Sequence, residues 1–137
     1  MRIVLDNDVI IGALYPNPEF EAAAQEVLRL AAAKKMDGFV SANSLTDIFY
    51  VLRREHGADK AKSIIRKLLL FLDIIGTEPA DCVAALEKEV SDFEDALVEV
   101  CARKINADYI VSRDEKFIRA ATEVELIKPA DLIAQFK

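Results

Sequence analysis

Residues 1–14 read MRIVLDNDVIIGAL, and this stretch decides the fold. An aliphatic run at residues 3–5 leads directly into Asp6-Asn7-Asp8, after which apolar residues resume at once. A short, continuous aliphatic run is typical of a strand that is buried on both faces, as in a parallel sheet. Solvated loops are seldom flanked by aliphatic residues on both sides. We therefore interpret the two carboxylates and the amide as a polar site at the end of the first strand.

The length and composition predict one folded domain over residues 1–137. The chain is 53% hydrophobic and 31% charged, which is the composition of a globular protein with a substantial core. No internal repeat, linker or low-complexity segment interrupts it. The apolar run at residues 68–72 is far shorter than a membrane span, and Asp6 interrupts any signal-peptide pattern. We expect a cytoplasmic protein with no membrane partner.

The residue inventory excludes several kinds of chemistry. His56 is the only histidine, so His-rich zinc sites are excluded and a catalytic triad based on histidine is disfavoured. Cys82 and Cys101 lack a metal-ligand spacing and are interpreted as reduced core thiols. The net charge of -6 argues against a protein that coats nucleic acid through a broad basic surface, but not against nucleic-acid chemistry. Carboxylates, lysines or a metal must carry any catalysis.

Strand-like and helical patterns alternate along the chain. Strands are predicted at residues 3–5, 39–40, 72–75, 109–111 and about 124–127. Helices are predicted to begin at Pro18, at Ser41 or Asn43, at Ala58, at Pro79, at Ser91 or Asp92, after Asp114 and at Pro129. This alternation predicts an α/β domain around a mostly parallel sheet.

Acidic residues stand at the ends of two predicted strands, where parallel sheets bind their ligands. The first strand ends at Asp6, and the strand at residues 109–111 is followed by Asp114. The helix that begins near residue 92 adds Asp92, Asp95 and Glu99, which share one helix face. Asp92 also suits a helix cap. We expect Glu99 to lie on the solvated surface of that helix.

Asp47 admits two interpretations from its pattern. It lies opposite the apolar stripe of Leu45, Ile48 and Leu52, where a residue normally faces solvent. Tyr50 shares its side of the helix, which indicates that this side is partly covered. The pattern alone does not choose between a surface residue and a member of a site.

The clustering of carboxylates points to a divalent cation. Like charges that lie close together raise each other's pKa, and a bound cation removes this cost. Oxygen ligands without histidine or thiolate suit Mg²⁺ or Mn²⁺, bound as one or two ions. Such ions activate water and stabilise the charged oxygens of a phosphodiester during cleavage. The sequence therefore indicates metal-assisted phosphoryl transfer.

Three motifs carry a resemblance to a known family. They are VLDNDVIIGAL at residues 4–14, SANSLTDIFYVLRRE at residues 41–55 and DFEDALVEVCARKINADYIVSRDEKF at residues 92–117. Together they resemble the PIN-domain nucleases, the fold of the VapC-type ribonuclease toxins of toxin–antitoxin pairs. The resemblance extends over essentially the whole chain. It implies a three-layer α/β/α sandwich with a roughly five-stranded, mostly parallel sheet.

The resemblance also implies the members of a site for a Mg²⁺- or Mn²⁺-dependent endoribonuclease. Asp6, Asp95 and Asp114 would bind the metal, and Asp92 and Asp47 would add ligands or orient water. Supporting roles fall to Ser112, Asn7 and Asp8, with local hydrogen bonding expected of Asp8. Phosphate contacts of the RNA are expected from Arg53, Arg54, Arg113 and Arg119. The implied partners are an RNA substrate, an antitoxin protein and a second copy of the chain in a homodimer.

The sequence departs from the family pattern at three positions. Asp47 stands where Glu is usual, and Asp8 stands where Asn is frequent. Close relatives often carry an Asp directly before the Phe that follows the last acid, whereas Lys116 precedes Phe117 here.

Two other function classes are weighed against the nuclease. Asp6-Asn7-Asp8 after a strand also resembles the Asp-x-Asp of haloacid-dehalogenase phosphatases, and Ser112 could serve as their second motif. A lysine followed by paired aspartates, which that family requires, is missing from the 25 residues after Ser112. The non-enzymatic alternative is a catalytically inactive PIN fold that binds RNA or protein. A phospho-accepting receiver is disfavoured because Asp73 precedes, rather than follows, the apolar residues of its strand.

Overall fold

A computed structural model describes residues 1–15, 21–90, 92–120 and 122–136, which form five strands and eight helices. The strands are β1 (Arg2–Leu5), β2 (Asp37–Ser41), β3 (Leu72–Ile75), β4 (Tyr109–Val111) and β5 (Leu126–Ile127). The helices are α1 (Asn7–Leu14), α2 (Glu21–Ala32), α3 (Ala42–His56), α4 (Ala58–Leu68), α5 (Pro79–Leu86), α6 (Phe93–Lys104), α7 (Glu115–Ile118) and α8 (Pro129–Phe136). The predicted strands are all present: β3 and β4 have the predicted ends, whereas the ends of β1, β2 and β5 are shifted.

The five strands form one sheet in the order β3-β2-β1-β4-β5, and every neighbouring pair is parallel. The first strand of the chain is therefore the central strand of the sheet. In the register of β1 with β4, Leu5 lies opposite Val111. Both strands consequently end at the same level, where their following residues meet.

Alternating side chains of β1 face two hydrophobic cores. Ile3 and Leu5 are fully buried in the core that α1, α2, α3, α4 and α8 cover. Val4 faces the other side of the sheet, where buried residues of α5 and α6 pack. Cys101 is buried in this second core and Cys82 packs against it, as predicted for core thiols. The predicted three-layer α/β/α sandwich is confirmed.

Helix ends follow local chemistry. The Ser41 hydroxyl caps α3 by accepting a hydrogen bond from the backbone N–H of Ser44 at 3.1 Å. Gly57 ends the same helix with φ 85°, a conformation that favours glycine. Of the alternatives for α6, Asp92 is the cap. Ser91 and the predicted helix start at Pro18 lie outside the described residues.

The helix α1 was not predicted, because the apolar run after Asp8 offered no clear helical stripe. The structure begins this helix directly at Asn7, with Asp6 as its cap. Val9 and Ile10 are fully buried, so the segment lies between core and site and lacks a solvated face. The site residues of MRIVLDNDVIIGAL are thus held at a strand-to-helix junction.

The prediction for Glu99 was wrong. Its side chain is only 1% exposed, inside α6 rather than on its surface. The Lys88 ammonium lies 3.3 Å from the carboxylate, and the backbone N–H of Glu123 donates to the same oxygen at 2.8 Å. An ion partner and a backbone donor allow this acid to be buried.

Among the described residues, every helix is too short or too polar to cross a membrane.

Candidate active site

Three aspartates cap three helices at one edge of the sheet. Asp6 caps α1 after β1, Asp114 caps α7 after β4, and Asp92 caps α6. The backbone N–H of Asp6 donates to the carbonyl of Val111 at 3.0 Å, which ties the ends of β1 and β4 together. The positive ends of three helices therefore point toward this acidic region, which favours the ionised forms of its carboxylates.

The Ser112 hydroxyl joins two of these aspartates. Ser112 is fully buried and donates to Oδ2 of Asp6 at 2.9 Å. Its Oγ in turn accepts the backbone N–H of Asp114 at 3.1 Å. Because Asp6 is itself only 3% exposed, this short chain of hydrogen bonds fixes its carboxylate relative to the start of α7.

Asp95 lies in the first turn of α6 and faces the same carboxylates. Burial raises the pKa of Asp95 to about 7, and the negative charges of Asp6, Asp92 and Asp114 add to the effect. Burial also raises the pKa of Asp6, against the hydrogen bonds from Ser112 and Asn7, and Asp114 and Asp92 raise it further. The predicted set of Asp6, Asp92, Asp95 and Asp114 therefore interacts electrostatically as one cluster.

A second acidic wall is built around Asn7. Its side-chain amide donates to Oδ2 of Asp47 at 3.1 Å and to Oε1 of Glu94 at 2.9 Å. Asp47 is half-buried, so the interpretation of this side of α3 as partly covered is the one that the structure supports. Burial and the neighbouring Asp47 raise the pKa of Glu94 to about 8.

Glu94 is a member of this region that the sequence reasoning missed. The pattern of Asp92, Asp95 and Glu99 on one helix face drew Glu99 into the candidate set. Glu94 lies on a different face of α6 and was therefore left out. Two features of the sequence could have indicated Glu94. The first turn of α6 reads DFED and so contains three acids, and the side-chain amide of Asn7 needs hydrogen-bond acceptors.

Asp8 makes the local hydrogen bonds that were expected of it. Its carboxylate accepts the backbone N–H of Arg113, with Oδ2 at 3.2 Å. Burial and the charge of Asp6 raise its pKa to about 7. The Arg113 guanidinium lies over Gly12, where a Cβ would come within 2.0 Å of Nη1. Gly12 therefore makes room for this arginine beside Asp8.

The four predicted phosphate contacts fall in different places. Arg53 and Arg54 are exposed at the end of α3. Arg113 lines a cavity of about 800 Å³ that also borders Asn7 and Asp8. Arg119 is exposed and borders a smaller cleft beside Asp92 and Asp95. The structure thus brings Arg113 and Arg119 next to the acids, while Arg53 and Arg54 line neither cavity.

The donor set fits a divalent cation in chemistry and charge. Carboxylate oxygens dominate it, and mutual repulsion and burial disfavour their ionised forms in the absence of a cation. Within residues 1–15, 21–90, 92–120 and 122–136, no three acidic, histidine or cysteine side chains are already arranged to hold an ion. Binding an ion would therefore require side-chain rotations. Asp114 is exposed, and the two backbone hydrogen bonds that it accepts both use Oδ1.

The raised pKa values predict how stability depends on pH in EDTA. Asp8, Asp95 and Glu94 keep their protons up to about pH 7–8 when folded, whereas ordinary carboxyls lose theirs near pH 4. The folded state therefore binds more protons across this window, and stability falls as pH rises through it. Differential scanning fluorimetry should show Tm lower by about 4 °C or more at pH 8 than at pH 5.5.

Mn²⁺ should reverse this trend, because a cation binds ionised carboxylates and gains most at high pH. We expect a larger rise of Tm with Mn²⁺ at pH 8 than at pH 5.5. Asp95→Asn should flatten the pH profile, and Asp59→Asn, on the exposed surface of α4, is the matched control. A Tm that rises from pH 5.5 to pH 8 in EDTA would contradict the electrostatic account.

Comparison with known proteins gives three kinds of similarity. The sequence profile of the PIN domain matches residues 2–116. The chain is 28% identical over 130 residues to Ribonuclease VapC1 of Aquifex aeolicus (strain VF5), covering 90% of this chain and 88% of that protein. The fold matches VapBC2 from Rickettsia felis, solved with a DNA fragment from its promoter, with a TM-score of 0.72, 20% identity and coverage of 93% and 98% of the two chains.

A second solved structure has the same fold. It is VapC20 of Mycobacterium tuberculosis, a toxin that cleaves the sarcin-ricin loop, with a TM-score of 0.66 and 17% identity. The match covers 84% of this chain and 92% of that one. At these identities the two solved structures support the fold alone, which agrees with the five-stranded parallel sheet described above.

Proposed function

Because the chain belongs to the PIN domain family, we propose that it is a Mg²⁺- or Mn²⁺-dependent endoribonuclease. The observation that carries the proposal is the convergence of Asp6, Asp92 and Asp114 as the caps of three helices, with Asp95 facing them. A single aspartate that caps a helix needs no functional explanation. Several buried carboxylates that repel each other, however, destabilise the folded protein. Such a cost is expected at a functional site.

Each acid has a distinct part in the proposed site. Asp6, Asp95 and Asp114 would hold the cation, with Asp92 as a further ligand, and the bound cation would supply activation of water and neutralisation of charge at phosphate. Ser112 keeps the Asp6 carboxylate in place through its 2.9 Å hydrogen bond. Asp47 and Glu94 both accept hydrogen bonds from Asn7, and together they form the opposite wall, where they would orient water.

RNA is the proposed substrate because of the relative named a ribonuclease, at 28% identity over most of both chains. Arg113 borders the site and is our first candidate for a phosphate contact. Arg53 and Arg54 extend from α3 outside the two cavities and would contact more distant phosphates.

A toxin role is the second part of the proposal. VapC and VapBC proteins are among the relatives and the structures that share the fold. We therefore propose an antitoxin that presents Arg or Lys to the carboxylates, and a homodimer of this chain in its complex.

The test of the proposed activity is cleavage of labelled RNA by the purified chain. With Mn²⁺ or Mg²⁺ we expect endonucleolytic products, and EDTA should abolish them. A catalytically inactive module is the competing function, and its signature is RNA or protein binding without cleavage. Isothermal titration calorimetry with Mn²⁺ adds a second criterion, because an inactive module that has lost its metal ligands would not bind Mn²⁺ tightly.

The role of Glu94 can be tested with Glu94→Gln, and this role follows from the contact with Asn7 rather than from the family motif. We expect it to lower kcat about 10- to 100-fold, because loss of an outer group around a metal site has effects of this size. Glu87→Gln, at an exposed position after α5, is the matched control and should leave kcat unchanged. Single-turnover cleavage rates measure both. A rate for Glu94→Gln within threefold of the parent would remove Glu94 from the site.

A further inference from the structure

A cleft of about 340 Å³ lies beside the proposed site, between α6 and α7. Asp92 and Asp95 line it from the α6 side, and Lys116 and Arg119 line it from the α7 side. Its volume is near the lower end of the range for small-molecule sites, about 300–1,000 Å³. The cleft therefore suits a single nucleotide unit rather than a longer segment of nucleic acid.

The two cations of this cleft are held on a well-fixed element. Lys116 lies in the short helix α7 and Arg119 directly follows it, still with helical backbone angles, so the two residues, three apart, lie on one side of this segment. Phe117 between them is only 1% exposed and anchors the helix in the core. The Asp114 carboxylate accepts the backbone N–H of Lys116 at 3.0 Å, so the cationic wall is connected directly to the acid of the site.

Both side chains are available for an anion. Lys116 and Arg119 are exposed, and among the described residues neither forms a salt bridge. By contrast, Lys128 forms a salt bridge with Glu115, and Arg103 forms one with Glu123. Two cations that form no salt bridge within the described part of the chain thus stand opposite two carboxylates, so the facing walls of the cleft carry opposite charges.

We propose that this cleft is the subsite for the nucleotide adjacent to the scissile phosphate, with Lys116 and Arg119 binding the phosphate of that nucleotide. The inference rests on the proposed ribonuclease function and adds a specific place for the RNA chain. A phosphodiester at the carboxylate cluster is covalently joined to its neighbours, and the cleft shares Asp92 and Asp95 with that cluster. Its cations are therefore placed to contact a phosphate that adjoins the scissile one.

Binding of a short single-stranded RNA tests the subsite without requiring cleavage. The protein carries Asp6→Asn to prevent cleavage, and the probe is a fluorescein-labelled RNA of roughly 12 nucleotides, within the range of single-strand sites. Fluorescence anisotropy at several salt concentrations gives Kd and its salt dependence. We expect Lys116→Ala/Arg119→Ala to raise Kd about tenfold and to reduce the slope of log K against log salt by roughly 0.7, the value for one neutralised phosphate of a single strand.

The matched control removes the same two charges from α4. Lys62 and Arg66 are exposed, one helical turn apart, and line neither cavity. Lys62→Ala/Arg66→Ala should change Kd less than twofold. The charge-preserving Lys116→Arg/Arg119→Lys should stay within about threefold of the parent, which separates lost charge from disturbed folding.

Cleavage kinetics in the chain with native Asp6 distinguish this inference from the proposed function. Loss of a contact made equally in ground and transition states should raise KM for RNA and leave kcat nearly unchanged. If RNA is cut and Lys116→Ala/Arg119→Ala behaves like the α4 control, the subsite is refuted and the nuclease stands. If the predicted binding changes appear but no RNA is cut, the nuclease is refuted, and what stands is the binding of an RNA phosphate by Lys116 and Arg119. A chain that neither binds nor cuts RNA refutes both.

Discussion

Replacing Asp6 by asparagine is expected to lower the rate of RNA cleavage by at least about 1,000-fold. Asp6 is the most enclosed carboxylate of the cluster, at 3% exposure, and the charges of Asp92 and Asp114 act on it. A ligand of a catalytic cation contributes several kcal/mol to the transition state, and about 4 kcal/mol corresponds to this change of rate. Single-turnover cleavage with saturating Mn²⁺ measures the effect.

Asp6→Asn should also affect thermal stability. Asn is close in shape to Asp, and it removes a buried negative charge that repels Asp95 and Asp8. In EDTA at pH 8, Asp6→Asn should therefore melt at the same temperature as the parent or above it. Asp59→Asn on α4 is the control for both measurements. Cleavage by Asp6→Asn within tenfold of the parent would be incompatible with a metal ligand at this position.

Lys88→Met is expected to lower the free energy of unfolding by about 2–3 kcal/mol. The substitution removes the ion partner of Glu99, whose carboxylate is 1% exposed and has a second oxygen with no partner among the described residues. Breaking a buried ion pair at one partner typically costs about 3–5 kcal/mol, and the 16% exposure of the Lys88 side chain favours a smaller loss. Urea denaturation at pH 7.5 measures the change.

Two companion variants locate the origin of this loss. Arg103→Met removes a salt bridge with Glu123 in which both side chains are at least half exposed, and it should cost less than about 1 kcal/mol. Lys88→Met/Glu99→Gln removes both charges but keeps an acceptor for the backbone N–H of Glu123, and it should recover most of the stability. Equal losses for Lys88→Met and Arg103→Met would show that burial of Glu99 is not responsible.

The fold was predictable because its signals are local. Residues 3–5 form a continuous aliphatic run, and strand β3 is found at the predicted residues 72–75. Alternation of strands with helices then requires parallel pairing. The strand ends at Asp6 and before Asp114 were likewise readable, since parallel strands align their carboxyl ends. The PIN resemblance, carried by the same residues, agrees with the family match over residues 2–116.

The features that were predicted wrongly or missed depend on contacts between distant parts of the chain. Glu99 has the sequence pattern of a surface residue, and only the approach of Lys88 and of the Glu123 backbone allows it to be buried. Glu94 enters the acidic region because the Asn7 amide, 87 residues earlier, donates to it. Helix α1 was missed because its neighbours leave it no solvated face that would produce a stripe.

The central claim is that the carboxylates around Asp6 bind a divalent cation that is required for RNA cleavage. A crystal of the chain soaked in Mn²⁺, with anomalous diffraction data, tests this claim most directly. We predict an anomalous peak within about 2.0–2.3 Å of oxygens from Asp6, Asp95 and Asp114, close to the distances of hard cations. The absence of any Mn²⁺ peak at Asp6, under conditions in which the protein cleaves RNA, would contradict it.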